Sequence, residues 1–406
     1  MIDTESFLVI VFAAAVAGTI VAVAAPRFVI PVVVVELILG MIIGPHALDI
    51  AQVDRFTDFF GNLGLGMLFF FAGYEIDFER IRGRALNLGM IAWVLSLAIA
   101  FAVGGVLAAL GIVVSLLYTG SALATTAIGT LIPILRDEGE LRTRFGKYLL
   151  ASGAVGEFGP ILLITLVLST THPLKEAAVL VAFVVLAVGT GVLAVRSVSR
   201  GWPLLERTFE SSSQLPIRLA VVLVFALLTL ATHLGLDLLL GGFVAGLITR
   251  QALRDQELAL FESKITALGY GFLIPFFFIT SGMKFDLGSL FESASALSKL
   301  PLFLGLFLLV RGLPAFVLYV GLFDARDRTA LAFYNATQLP LVVAITAIAV
   351  ETGHMRVTTA SALVGAAILS TLIYPLVAMR LRRERVGQLE PDVEGEPGVD
   401  RAPATA

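Results

Sequence analysis

Apolar runs of bilayer length cut this chain into pieces and set what it can become. They fall near residues 6–25, 29–46, 58–76, 86–110, 117–135, 146–170, 175–196, 216–233, 236–250, 266–283, 299–321, 327–350 and 357–379. Proline, glycine and charge clusters separate them. A hydrocarbon core of roughly 30 Å is crossed by about 20 helical residues, so all but the short ninth run can span it. Backbone polar groups in lipid must find partners inside their own segment, which makes each run a helix. The expected fold class is an all-α polytopic membrane protein with about thirteen transmembrane helices. Composition agrees, with 15% charged residues against roughly 25% in soluble domains.

The same counts exclude several classes. A formal net charge of −3 and the lack of a basic stripe argue against a nucleic-acid partner. With no cysteine, disulfides, iron–sulfur clusters and thiolate metal sites drop out. The four histidines are scattered, with no pair at zinc-binding spacing, and no cofactor is expected. The N-terminal MIDTESF lacks the basic region of a cleaved signal, so the first run is expected to stay as a span. Residues 1–380 are expected to form one transmembrane domain, and 381–406, polar and rich in Pro, Gly and Glu, a disordered cytoplasmic tail.

Basic residues orient the map. With the N-terminus outside and thirteen spans, 21 of the 28 Lys and Arg residues fall on inside segments and 5 outside. Only Arg311, within a span, and Arg401, in the tail, are left over. Gaining or losing one span destroys that asymmetry, so the C-terminus is expected in the cytoplasm.

The chain also repeats itself. FFFAGYEID (69–77) and FITSGMKFD (278–286) align Gly73 with Gly282, and GMIIG (40–44) has a counterpart in GFVAG (242–246). Seven spans separate the equivalents, so the copies, about 5–170 and 216–380, must be inserted upside down relative to each other. Inverted repeats of this kind mark secondary transporters.

Polar residues cluster at repeat-related places. TGSALATTAIGTLIPI (119–134) carries Thr119, Ser121, Thr125, Thr126 and Thr130; the repeat offset sets Thr126 opposite Asn335 in FYNATQLPLVV (333–343). Two matching spans that are polar and interrupted by Gly and Pro read as discontinuous helices, whose freed backbone groups line an ion site. The plain alternative is hydroxyls that bond back to their own helix.

Three charged residues lie within the spans. Glu157, in ASGAVGEFGPILLITLVL (151–168), is expected to be the shared proton- and cation-binding carboxylate. A carboxylate at bilayer depth costs on the order of 2–4 kcal/mol, so it faces a cavity or a partner. Removed from water it favours its neutral form, which suits it to proton exchange. Arg311 is expected to pair with Glu157, either tuning it or fixing helix packing. Glu36, in a glycine-rich helix, is read as a structural or gating acid before a direct ion ligand. Glu75 and Asp77, beside Arg80, Arg82 and Arg84, read as a loop ion-pair cluster. His233 and Asp237 read as a solvated turn, and 250–264 as an amphipathic segment on the inner interface.

In order, VVVELILGMIIGPHAL, LGLGMLFFFAGYEIDF, SALATTAIGTLIPIL, AVGEFGPILLI, LGLDLLLGGFVAGLI and IPFFFITSGMKFDL resemble the monovalent cation:proton antiporters, in their Kef-type exchanger branch. The likeness spans about residues 5–380. It implies a core and a dimerisation part, two crossed discontinuous helices beside an acid on the sixth span, and a homodimer. Carried onto this chain, Thr125, Thr126 and Asn335 lie at the crossing, Glu157 is the acid and Arg311 its basic partner. The family's usual aspartate, often preceded by Asp, Asn or Gln, is here Gly156–Glu157. Losing the preceding acid points to electroneutral exchange.

The expected function is exchange of a monovalent cation, Na⁺ or K⁺, for protons across the cell membrane, with no metal beyond that cation at Glu157. Nothing suggests an enzyme: no paired aspartates or Ser/His dyad share a depth. A sodium-coupled symporter of an organic anion and a cation channel remain the alternatives.

Overall fold

A computed structural model describes residues 3–24, 31–75, 81–167, 181–183, 185–187, 189–191, 193, 208, 211, 213–234, 236, 238–253, 255–285 and 294–383. The described residues are helical, without a named strand. The first helices are α1 (Thr4–Ala24), α2 (Val32–Ile43), α3 (Arg55–Tyr74) and α4 (Arg84–Ala109). Next come α5 (Leu116–Leu123), α6 (Ile128–Asp137) and α7 (Arg144–Val167). The second half holds α8 (Leu215–His233), α9 (Leu238–Ala252), α10 (Asp255–Leu268) and α11 (Ile274–Met283). It ends with α12 (Ala294–Phe307), α13 (Leu313–Leu318), α14 (Ala325–Asn335), α15 (Pro340–Glu351) and α16 (Val357–Arg383).

Eight described segments are long and apolar enough to cross a membrane by length and composition; α2, α9 and the α5–α6 stretch are shorter apolar helices. Most of the predicted 175–196 span, together with Asp77, Arg80, Asp237, Arg254 and Asp286, lies outside the described residues. Residues 384–406 of the expected tail do too. Helix α16 continues to Arg383. Its last turn is held by Arg382, whose Nε and Nη2 donate 2.7 and 2.8 Å bonds to the Glu140 carboxylate. Arg382 Nη1 also lies 2.9 Å from Asp327 Oδ1, and its guanidinium sits 4.1 Å over the Phe145 ring.

Glycines govern how the two halves meet. A Cβ on Gly40 would lie 2.2 Å from the Ile279 carbonyl oxygen, and one on Gly282 would lie 2.2 Å from that of Leu37. Helices α2 and α11 therefore touch backbone to backbone. The second seam is between α3 and α9: a Cβ on Gly73 would lie 2.0 Å from the Phe243 oxygen, and one on Gly246 would lie 2.0 Å from that of Phe70. These are the glycines of the two sequence repeats. Each copy's GxxxG helix packs on the other copy's Phe–Gly helix, as small residues permit in membranes.

Two π turns interrupt long helices. Gly269–Leu273 joins α10 to α11, and Leu308–Gly312 joins α12 to α13; a proline follows each, at Pro275 and Pro314. Such turns re-aim side chains and recur at functional sites. The second one contains Arg311.

A capping box starts α3. Asp54 Oδ1 accepts from the Phe56 and Thr57 amides at 3.1 and 2.8 Å, and Thr57 Oγ1 accepts from the Asp54 amide at 2.9 Å. Asp54 Oδ2 also accepts from the Asp3 amide at 2.9 Å, tying the start of α1 to α3. These bonds, the Thr57 amide first, hold the Asp54 carboxyl down at about 2.

Two outcomes follow. Gly246→Val drives a side chain into α3 and lowers the melting temperature in detergent, on the order of 1–3 kcal/mol of overpacking. Gly105→Val, with nothing within 4 Å of its Cβ, leaves melting unchanged. Asp54→Ala loses the cap, roughly 1 kcal/mol. Since the folded carboxyl sits below its unfolded value of roughly 3.9, its stabilisation is full above that value and disappears as pH falls through about 2. Melting of wild type and Asp54→Ala therefore differs at pH 6 and converges in strong acid.

Candidate functional site

Both polar spans are broken where the sequence places the breaks. Residues 124–127 separate α5 from α6, and residues 336–339 separate α14 from α15. Pro340 opens α15, where its missing N–H and fixed φ suit a first helical turn. The two interruptions are bonded to each other. The Ala127 amide donates to the Thr337 carbonyl at 2.8 Å, and Thr126 Oγ1 donates to the Asn335 carbonyl at 2.6 Å. Thr125 Oγ1 donates to Gln338 Oε1 at 2.9 Å, and Gln338 Nε2 donates to the Leu123 carbonyl at 3.0 Å. Freed backbone groups of one interruption are thus satisfied by the other, as burial demands.

Helix α7 passes beside them. The Thr126 amide donates to the Gly156 carbonyl at 3.1 Å, and Ser152 Oγ donates to Asn335 Oδ1 at 2.6 Å. Glu157 is 2% exposed, and its Oε2 accepts from the Gly129 amide at 3.3 Å. The carboxylate therefore sits at the N-terminus of α6, where unsatisfied amides and the helix dipole favour negative charge.

Arg311 is brought to the same place, but its expected pairing with Glu157 is not found. Its bonds all go to neutral oxygens: Nε to Thr126 Oγ1 at 2.8 Å, Nη1 to Ser96 Oγ at 3.2 Å, and Nη2 to the Ser152 carbonyl and Asn335 Oδ1 at 3.2 and 3.3 Å. Five fixed donors let a guanidinium be satisfied by surrounding dipoles without a carboxylate. Arg311 thus bonds α4, α7, the first interruption and the last residue of α14, and the acid is left to α6. Gly156 makes room for it: a Cβ there would lie 2.3 Å from Arg311 Nη2 and 2.8 Å from Thr126 Oγ1. The space of a side chain at 156 is filled by the guanidinium.

The other expected residues divide. Thr125, Thr126 and Asn335 are buried at the interruptions, each already bonded to protein; Asn335 Nδ2 donates to the Leu331 carbonyl at 2.9 Å. Thr119, Ser121 and Thr130 are buried with hydroxyls that have no hydrogen-bond partner. Glu36 is buried in α2. Glu75 caps the C-terminus of α3, and exposed His233 bonds the Thr229 carbonyl through Nδ1 at 2.9 Å. Ser96, Ser152 and Trp93 were not singled out in the sequence. Trp93 Nε1 donates to the Ala124 carbonyl at 3.2 Å, within the first interruption. A tryptophan inside a span needs an acceptor for its N–H, and that was the available signal.

A cavity of about 560 Å³ opens at the end bearing the Asp58–Lys284 ion pair (2.5 Å) and Glu351. It runs between α3, α11, α15 and α16, past Thr280 and Thr346, and reaches Val343 in the first turn of α15.

A model of the transmembrane sodium/hydrogen exchangers matches residues 11–381. The chain belongs to this sodium/hydrogen exchanger family. It is 26% identical over 371 residues to the putative Na(+)/H(+) antiporter YjbQ of Bacillus subtilis, covering 87% of this chain and 59% of that protein. It is 29% identical over 271 residues to the probable Na(+)/H(+) antiporter 3 of Methanocaldococcus jannaschii, covering 66% and 68%. The chain thus spans 59% of the length of the Bacillus relative. The solved structure of the sodium proton antiporter MjNhaP1 from Methanocaldococcus jannaschii matches with TM-score 0.61 at 18% identity, covering 97% of this chain and 99% of that one. At that identity the likeness speaks for fold. Membership sets this exchanger-family chain among transporters, not enzymes.

Gly156→Ala is expected to push the guanidinium out of its four bonds and destabilise the protein on the order of 1–3 kcal/mol. Size-exclusion chromatography and melting in detergent check this, with Gly189→Ala, whose Cβ meets nothing within 4 Å, as the silent comparison.

Proposed function

We propose that this chain exchanges a monovalent cation, Na⁺ or K⁺, for protons, and that both compete for Glu157. The observation that carries the reading is a buried carboxylate at the N-terminus of α6, beside two bonded helix interruptions, in a member of the sodium/hydrogen exchanger family. We take the α5–α6 and α14–α15 helices as the crossed discontinuous pair of a thirteen-span, inverted-repeat exchanger. In this reading the N-terminus is outside, the C-terminus is in the cytoplasm, and the protein works as a homodimer. The ordered motifs resemble the Kef-type branch, whereas the relatives named above carry sodium/proton antiporter names.

The chemistry is an exchange at one group. Protonated, Glu157 is neutral and needs no counterion. Deprotonated, it offers two oxygens to a partly dehydrated cation. The amides at the start of α6 stabilise the anion between the two states. Arg311, bonded to neutral oxygens, keeps its charge through the cycle and frames the site. Thr125, Thr126 and Asn335 act first by holding the interruptions together, and each can turn an oxygen to the cation only by giving up a protein bond. With Gly156 in place of a second acid, one proton leaves for each monovalent cation bound, which makes the exchange electroneutral. The cavity along α15 supports an access route from the end bearing Asp58, Lys284 and Glu351.

The test is flux in proteoliposomes carrying an internal pH dye. With an acid interior, external Na⁺ or K⁺ alkalinises wild type, and Glu157→Gln abolishes the response. In the Na⁺ arm, clamping the voltage with potassium and valinomycin leaves the rate unchanged. No response of wild type to any monovalent cation contradicts the reading, and a response retained in Glu157→Gln moves the proton site elsewhere.

A further inference from the structure

One buried acid is left without a task. Glu36 is 3% exposed, and its Oε2 has no hydrogen-bond partner. The neighbouring glycines fix its place in the bundle. A Cβ on Gly40 would lie 2.2 Å from the Ile279 oxygen, and one on Gly44 would lie 2.7 Å from the Met283 Cα. Glu36 precedes Gly40 by four residues and Gly44 by eight, so it shares their face of α2 and lies on the seam with α11.

Among the described residues, no cation is paired with it. Helix α2 packs on α1, α11 and α16. The acidic residue of α1 is Glu5, in its first turn, nearly the whole helix away from the α1–α2 connection. Helix α11 carries no charge between Ile274 and Met283; Lys284, just past its end, pairs with Asp58. The charged residues of α16 are Arg380, Arg382 and Arg383 in its last turn; Arg382 is taken by Glu140 and Asp327, and Arg380 is exposed. An isolated ionised carboxylate in such surroundings is too costly to persist, whereas a neutral acid is tolerated.

We propose that Glu36 is a second proton-binding site, separate from Glu157, protonated while α2 and α11 are packed and ionised only when that seam loosens. Loss of its proton to water leaves a carboxylate that the closed seam cannot hold. Proton release is thereby linked to movement of α2 against α11, and pH gains a second hold on the protein besides the exchange site. Only the transport part of the test rests on the exchange reading above.

The experiment compares wild type, Glu36→Gln and Glu157→Gln by two readouts. The first is exchange rate against pH in proteoliposomes. The second is the infrared carboxyl stretch of the purified protein between neutral and strongly alkaline pH, which needs no transport. Glutamine mimics the protonated acid, so Glu36→Gln is expected to keep its maximal rate within about twofold while the alkaline limb of its profile moves by roughly half a pH unit or more. It also loses one protonated-carboxyl band that Glu157→Gln retains. Should glutamine disturb the fold, Glu36→Asp must keep that band at a shifted frequency. A Glu36→Gln protein with the wild-type profile and the wild-type bands overturns the proposal while leaving Glu157 untouched. If wild type shows no exchange, the exchange reading fails, and the infrared bands alone decide the fate of Glu36.

Discussion

The structure depends on one satisfied pair of helix breaks. Breaking a helix inside a membrane strands carbonyls and amides where no water can reach them, a cost of several kcal/mol per group. Here each break satisfies the other, through the bond from Ala127 to the Thr337 carbonyl and the bonds of Thr126, Thr125 and Gln338. Neighbouring helices add to this: Gly156 and Trp93 bond the first break, and Ser370 and Thr371 bond the second. Once the breaks exist, the start of α6 offers amides to an anion, and Glu157 takes them. The place of the proposed exchange site thus follows from how two broken helices bond to each other.

Arg311 extends the same logic. A guanidinium paired with a buried carboxylate would hold it ionised and balance its charge, leaving it less free to trade a proton for a cation. With its donors spent on Thr126, Ser96, Ser152 and Asn335, the arginine holds the frame, and in the proposed exchange Glu157 is left to change charge. Two glycine seams, Gly40 with Gly282 and Gly73 with Gly246, bring the helices of opposite repeats to backbone contact. Those four glycines and Gly156 have one role in common, since each admits a neighbour that any side chain would exclude.

Much of this was legible in the sequence because the repeat offset is a spatial statement. It set Thr126 opposite Asn335, and the two are hydrogen-bonded; it also matched the glycines that form the seams. The partner of Arg311 was not legible, since charge rules name carboxylates whereas the fold supplied a carbonyl, two hydroxyls and an amide oxygen. Ser96 and Ser152 are ordinary span residues until an arginine from a distant helix needs them. The π turn carrying Arg311 has no sequence sign beyond the proline after it, so the direction of that side chain could not be read. The extension of α16 to Arg383 was hidden for a related reason: Glu140, Asp327 and Arg382 are remote in sequence and meet only in the folded bundle.

The central claim is that one carboxylate serves proton and cation by turns. Calorimetric titration of the purified protein with Na⁺ and K⁺, in buffers of different ionisation enthalpy, tests it without any transport assay. The account predicts that the bound cation releases about one proton, and that Glu157→Gln loses both the binding heat and the release. Cation binding with no proton release, or binding retained in Glu157→Gln, would contradict it.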